Sequence, residues 1–372
     1  MRIGIDIREA HGQKAGKGVY AYEMMRALAE IDQTNEYVLY DRTHADAETD
    51  GGLGFFLPKN FRVRYVSAPS IFWHIAVALR VVFLDRIDLF FAPTSYIIPF
   101  LLSRKCIVTV PDVYAFLGQK SHMKKAVVIE KMMARRACAH ARRIVTISHF
   151  TKQELVRIFH VPESSVTVIQ IAARRAPETP AAPTPAISNL PESYILYLGT
   201  LEPRKNIKRL VQAFSLFKEH PAHRDIKLVL AGKKGWQYDE IFEEINRLKL
   251  ASEVVYIGYV GDEEKPELYR RARCFAFPSL YEGFGIPPLE ALMYGTPVVT
   301  SNTSSLPEVV GDAGILVDPL DTNAIARALS SVVDDPALRE RLIAQGKEQA
   351  KTFSWQKAAR ELLQIFTELY TS

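Results

Sequence analysis

Short apolar runs alternate along the chain with stretches whose apolar positions recur at helical spacing, and the rhythm persists through nearly all 372 residues. Runs at 2–7, 37–40, 63–66, 88–91, 107–110 and 144–147 are too short for helices and bounded by polar turns, so they predict buried strands. A second series at 194–201, 226–231, 254–257, 274–277, 297–300 and 315–317 repeats the pattern. The order strand, helix, strand implies parallel pairing, since only a crossover returns the chain to the same edge. Between the two series lies 174–191, rich in proline and without any period, which predicts a semi-rigid linker. The expected architecture is α/β, with two Rossmann-like doubly wound parallel-sheet domains, 1–173 and 192–353, able to hinge over a central cleft. Residues 354–372 follow as a helix, with Ser354 as N-cap and apolar residues at helical spacing.

Hydrophobic residues make up 48% and charged ones 24%, an ordinary globular balance with enough apolar content for two cores. Cys106, Cys138 and Cys274 show neither paired nor metal-like spacing, which predicts reduced thiols in the cytoplasm. The chain enters a strand pattern at once, from Met1 to Asp6, where a secretory signal would place a longer apolar core. The apolar stretch 71–84 is too short to span a bilayer and carries Arg80, so it predicts a buried or interfacial helix. Net charge is +5 and unevenly placed, with 25 basic against 17 acidic residues over 1–180. The excess gathers in 120–143, where Val127, Val128, Met132 and Met133 interleave with cations. Such a helix suits the anionic inner face of a cell membrane, or else a solvated surface whose other face is core. No aromatic residues interleave these cations, so nucleic acid is not expected as a partner.

Candidate chemistry is densest in 278–299. Glu282-Gly-Phe-Gly285 reads as a loop whose glycines let a ligand approach the backbone, Pro287-Pro288 opens a helix, and Gly295 stops it. The helix start offers amide groups and about half a positive charge, which suits an anion. Glu282 and Glu290 would repel a phosphate and instead fit sugar or ribose hydroxyls; alternatively, Glu290 merely complements the dipole and Glu282 is a solvated charge. Arg204 and Lys205 sit between a strand and a helix starting near Asn206, where cations oppose the dipole unless something negative offsets them. Together they would clamp an anion, Arg204 bidentately and Lys205 as a point charge. Gly16-Lys-Gly-Val-Tyr-Ala21, with Asp41 beyond it, superficially satisfies a dinucleotide fingerprint, yet residues 8–15 separate it from its strand. A longer glycine loop facing a ligand held by another domain fits better. Asp112 follows a strand at the ligand edge of its sheet, and reads either as a ligand contact or as a turn carboxylate. No spacing suggests a metal site.

At these residues the chain resembles the family 4 retaining glycosyltransferases of the GT-B fold. The likeness rests on Glu282-Gly-Phe-Gly-Ile-Pro-Pro-Leu-Glu290-Ala291, on Gly295-Thr-Pro-Val-Val-Thr300 and on Ser305-Leu-Pro-Glu-Val-Val-Gly-Asp-Ala-Gly314. It covers nearly the whole chain and is strongest over 194–318. The resemblance implies an N-terminal acceptor domain, a C-terminal donor domain, and a final helix that returns to the first. Arg204 and Lys205 would bind the leaving diphosphate, Glu282 the sugar hydroxyls and Glu290 the ribose, with the first three counted as catalytic. Gly16 and Gly18 would lie against the donor diphosphate and sugar. Asp112 would stand near the sugar and Val260 by the base, Gly199 would also bind the donor, and Gly283, Phe284, Gly285, Ile286 and Leu289 would belong to the donor-binding loop and helix start. Pro111 replaces the histidine usual in the family before Asp112, and 166–173 lacks the usual Asn-Gly or Pro-Gly ending. The implied activity is retaining transfer of a hexose from a nucleotide diphosphate sugar to a glycan or lipid-linked hydroxyl, without a separate cofactor. A GT-B sugar nucleotide epimerase, a silent sugar-nucleotide binding module and a nicotinamide dehydrogenase are the alternatives.

Overall fold

A computed structural model describes residues 1–11, 16–42, 53, 55–102, 105–117, 124–174 and 185–371, the side chains of 70, 71, 124–131, 185 and 186 excepted. The chain divides into two compact units, Met1–Ile171 with Ser354–Ser372, and Ala172–Phe353.

The first unit is built on seven strands: β1 (Arg2–Asp6), β2 (Glu36–Asp41), β3 (Phe61–Tyr65), β4 (Leu89–Ala92), β5 (Cys106–Thr109), β6 (Arg143–Thr146) and β7 (Val166–Val168). All pair in parallel, in the order β3-β2-β1-β4-β5-β6-β7. The central strands β4 and β5 are buried throughout, because crossovers cover both faces of a parallel sheet. The crossovers carry α1 (Gly16–Ile31), α2 (Ser70–Leu79), α3 (Ile97–Leu102), α4 (Lys124–His140) and α5 (His149–Phe159). Helix α1 begins at Gly16, so Gly16 and Gly18 lie in a first helical turn and not in the glycine loop expected from the sequence. Glycine is tolerated there because the first amides of a helix have no intrahelical partner to lose. The π-helical turn Arg80–Leu84 prolongs α2 and also departs from a plain α-helix.

The second unit carries α6 (Pro185–Ser188), then β8 (Tyr194–Leu198), α7 (Ile207–Phe217), β9 (Lys227–Ala231), α8 (Asp239–Arg247), β10 (Val254–Gly258), α9 (Lys265–Arg271), β11 (Cys274–Phe277), α10 (Ile286–Met293), β12 (Val298–Ser301), α11 (Leu306–Val310), β13 (Gly314–Val317), α12 (Thr322–Asp334) and α13 (Pro336–Lys351). Its six strands are parallel in the order β10-β9-β8-β11-β12-β13. Strand β8 is apolar and fully buried, and Tyr197 stacks on Phe277 of β11 at 5.8 Å. The last helix, α14 (Trp355–Thr371), packs on α1, with Trp355 6.2 Å from Tyr20 and Phe366 6.0 Å from Phe91. Ser354 caps it, its Oγ accepting from Lys357 N at 3.3 Å.

Candidate active site

Because β8 and β11 are neighbours, the segments that leave their carboxyl ends meet. The turn Pro203–Lys205 follows β8, and Asn206 ends it in the left-handed region at φ +60°. From there the Asn206 amide donates to Pro278 O at 2.9 Å and Pro319 O at 2.7 Å, while Leu280 N donates to Arg204 O at 2.9 Å. These bonds pin the cationic turn to the segment that carries Glu282. Lys205 Nζ lies 2.6 Å from Glu282 Oε1, and Arg204 Nη1 lies 3.1 Å from Glu282 Oε2 and 2.8 Å from Tyr281 O. Ser279 Oγ donates to Glu282 Oε1 at 2.7 Å, and Glu202 takes the Arg204 Nη2 at 2.8 Å. Burial raises the Glu282 pKa, but the Lys205 and Arg204 charges outweigh it and hold the carboxyl below its ordinary value. Lys205 is buried, and the charge that offsets it is the protein's own carboxylate.

The loop that follows is fixed as firmly. Glu282 N donates to Ser304 Oγ at 3.1 Å, and Ser305 Oγ donates to Glu282 O at 2.9 Å and to Phe284 O at 2.7 Å. Gly285 takes φ +124°, and a Cβ there would stand 2.9 Å from Leu306 Cδ2. Glycine is therefore demanded both by conformation and by space. Gly283 precedes Phe284, whose buried ring meets Phe353 edge-on at 5.7 Å, and Leu289 is buried too. Those two side chains serve the core, which leaves main chain for any ligand. Ile286 opens α10 ahead of the two prolines, and Glu290 lies buried in its second turn.

Glu290 heads a chain of charges that sequence reasoning missed. Its carboxylate accepts from Tyr269 OH at 2.9 Å and Lys265 Nζ at 3.2 Å; Lys265 also meets Asp262 at 2.8 Å, and Asp262 meets Arg174 at 2.9 Å. Burial raises the Glu290 pKa, and Lys265 and Tyr269 offset only part of that rise. The two carboxylates are thus pushed in opposite directions, Glu282 down and Glu290 up. The available signal was the spacing of Lys265 and Tyr269, four apart on one helix face, with Asp262 a turn before. Ser304 and Ser305 carried none, since their partners lie on a loop more than twenty residues away.

At the carboxyl ends of β8, β9 and β10, Gly199 N donates to Ala231 O at 2.9 Å and Gly232 N to Gly258 O at 2.6 Å. A Cβ on Gly232 would lie 2.0 Å from Gly199 O, so the two strand ends touch through glycine. Val260 is buried just beyond β10. In the first unit, Asp112 Oδ1 accepts from Tyr114 N at 2.9 Å, the geometry of a turn carboxylate. Gly18 is buried, whereas among the described residues a Cβ on Gly16 would meet nothing within 4 Å. Of the basic stretch, residues 120–123 and the side chains of 124–131 lie outside the described residues. Beyond them Met132 is exposed, and the exposed Arg135 and Arg136 lie over the rings of Phe159 and Phe100 at 6.0 and 5.5 Å.

Residues 184–349 match the family Glycosyl transferases group 1, and residues 15–171 match Glycosyltransferase Family 4. The O-antigen chain mannosyltransferase B of Escherichia coli is 36% identical over 375 residues, covering 94% of this chain and 95% of that one. Among solved structures, the sucrose-phosphate synthase of Thermosynechococcus elongatus superposes with TM-score 0.76 at 20% identity, over 100% of this chain and 99% of that one. HepE of Anabaena, solved in complex with UDP-glucose, superposes with TM-score 0.73 at 16% identity, over 99% and 100%. At these identities the structural likeness establishes the fold, which is GT-B.

Proposed function

The chain belongs to the group 1 glycosyl transferases of glycosyltransferase family 4, and from that premise we propose that it moves mannose from a nucleotide diphosphate donor to a glycan or lipid-linked hydroxyl, with retention of configuration. The name of the Escherichia coli relative, similar along almost its whole length, supports mannose and a place in O-antigen synthesis. The single observation that carries the site reading is the joining of Arg204, Lys205 and Glu282 on adjacent strand ends of the second unit.

Cleavage of the anomeric C–O bond leaves negative charge on the departing diphosphate. Arg204 and Lys205 would stabilise that charge, a role typically worth several kcal/mol of barrier. Glu282 holds both cations in place, so they need little reorganisation when the bond breaks. Its remaining lone pairs would accept sugar hydroxyls, and the Gly285 and Ile286 amides at the start of α10, ahead of Pro287 and Pro288, which have no N–H, would face the phosphates. Glu290, fixed by Tyr269 and Lys265, would take ribose hydroxyls, and the backbone at Val260 would meet the base. Gly16 and Gly18 would lie against the diphosphate and sugar, with Asp112 near the sugar. The acceptor would be offered at an anionic membrane surface met by the basic 120–143 stretch.

The test is incubation with GDP-mannose and with UDP-hexoses over a panel of glycan and lipid-linked acceptors, with the product linkage read by NMR. A new α-mannosyl linkage from GDP-mannose supports the reading, because that donor is itself α-configured. Donor epimerised without acceptor, or an inverted linkage, would overturn it.

A further inference from the structure

The helix formed by α2 and the π-helical turn Arg80–Leu84 buries Trp73, Val77 and Val81, and turns its other side outward. On that side Phe72 is 63% exposed, Leu79 53% and Phe83 70%, with Ile75 and Val82 between them. Spacing of three, four, three and one places these residues in a single stripe. Isolated exposed apolar residues are ordinary, but a contiguous aromatic and aliphatic stripe on a helix marks a contact surface.

The neighbourhood indicates what covers it. Helix α3 packs beside α2, and α4 beside α3, with Leu101 of α3 and Met132 of α4 also exposed. Across 70–84, 97–110 and 124–143 the sequence holds ten Lys or Arg and one acid, Glu130. The nearest further carboxylate, Asp85, is buried and faces Arg64 at 3.5 Å and Arg80 at 3.4 Å. An apolar stripe beside helices whose described cations, Arg135 and Arg136, are exposed, in stretches of sequence with almost no acids, fits a surface that is apolar inside and anionic at its rim. Among the described residues, no helix is long and apolar enough to cross a membrane. We propose that α2 and its π-helical extension lie in the interface of an anionic lipid bilayer, burying Phe72, Leu79 and Phe83 among acyl chains, with cations of the neighbouring helices on the headgroups.

The experiment is cosedimentation of the full chain with phosphatidylcholine vesicles, with and without phosphatidylglycerol. It needs neither donor nor acceptor, so its failure would leave the transferase reading untouched. The parent should pellet with the phosphatidylglycerol vesicles and only weakly with phosphatidylcholine alone. Replacing exposed side chains spares the core, so the double variant F72S/F83S should keep the parent melting temperature and bind about tenfold or more weakly. The variant R135E/R136E should lose the preference for phosphatidylglycerol. A parent that stays in the supernatant, or a double variant that pellets as the parent does, would overturn the proposal. So would a parent dimer in ultracentrifugation that F72S/F83S makes monomeric without any vesicle binding, since the stripe would then belong to a second copy.

Discussion

Lys205 Nζ and Glu282 Oε1 are 2.6 Å apart, in segments 77 residues distant in sequence, and both groups are buried. Lys205→Ala would leave the carboxylate with Arg204 and Ser279 but without its nearest charge. A buried ion stripped of a partner typically costs about 3 kcal/mol or more, and the remaining partners reduce that here to about 1–3 kcal/mol. The double variant K205A/E282A should be destabilised by less than the sum of the single changes, with coupling of about 1 kcal/mol or more. Sugar transfer should fall by about a hundredfold or more in both, because the cation itself is gone. Urea unfolding and initial rates measure the two effects separately. Additive stabilities would mean that the contact is idle, and an unchanged rate would remove Lys205 from the reaction.

Three glycines separate fold from function. Gly232→Ala would drive a Cβ into the Gly199 carbonyl at 2.0 Å with φ at +138°, a backbone collision that no rotamer relieves. Gly285→Ala meets only the movable end of Leu306 at 2.9 Å, though it too is strained at φ +124°. Melting curves should therefore rank Gly232→Ala as the most damaging, and Gly285→Ala as a loss of about 1–3 kcal/mol. Gly16→Ala should melt as the parent does, because among the described residues nothing stands near its added methyl. If that variant nevertheless transfers sugar more slowly, the space beside Gly16 is used by the donor; an unchanged rate would argue against such a contact.

Asn206 offers a cleaner dissection. Its amide bridges two carbonyls from a left-handed conformation, which glycine shares at no cost. Asn206→Gly should cost about 2–3 kcal/mol, the worth of two buried hydrogen bonds. Asn206→Asp should cost more, since it turns a carboxylate oxygen toward the Pro278 and Pro319 carbonyls. Equal melting temperatures for the two variants would show that the bridge contributes little.

Strand placement was legible because period and length decide it. The runs at 194–201 and 274–277 became β8 and β11, and 287–288 lies in the first turn of α10. What the pattern could not supply was pairing across strands. Nothing in 202–206 announces that its lysine is neutralised by Glu282, because that depends on β8 and β11 being neighbours in the sheet. The chain from Arg174 through Asp262 and Lys265 to Glu290 likewise spans 116 residues and closes only in three dimensions. The start of α1 was misplaced for a different reason. Glycines at 16 and 18 lower helix propensity, yet a first turn has no ladder of bonds for them to weaken.

The opposite shifts of Glu290 and Glu282 predict separate limbs of pH-dependent stability. Glu290 titrates above 4.5 in the folded protein, so between its unfolded and folded values the native state holds more protons. Stability therefore falls as pH rises through the window that opens at about 4.5, and the cost is constant above it. Glu282 titrates below 4.5, so its stabilisation is complete above that value and is lost as pH falls through the folded one. Melting temperatures from about pH 3 to about pH 8 should show Glu290→Gln gaining on the parent as pH rises past about 4.5. Glu282→Gln should differ from the parent by a constant amount above about 4.5 and converge on it in acid. A constant offset for Glu290→Gln across the whole range would mean that Lys265 and Tyr269 fully compensate its burial.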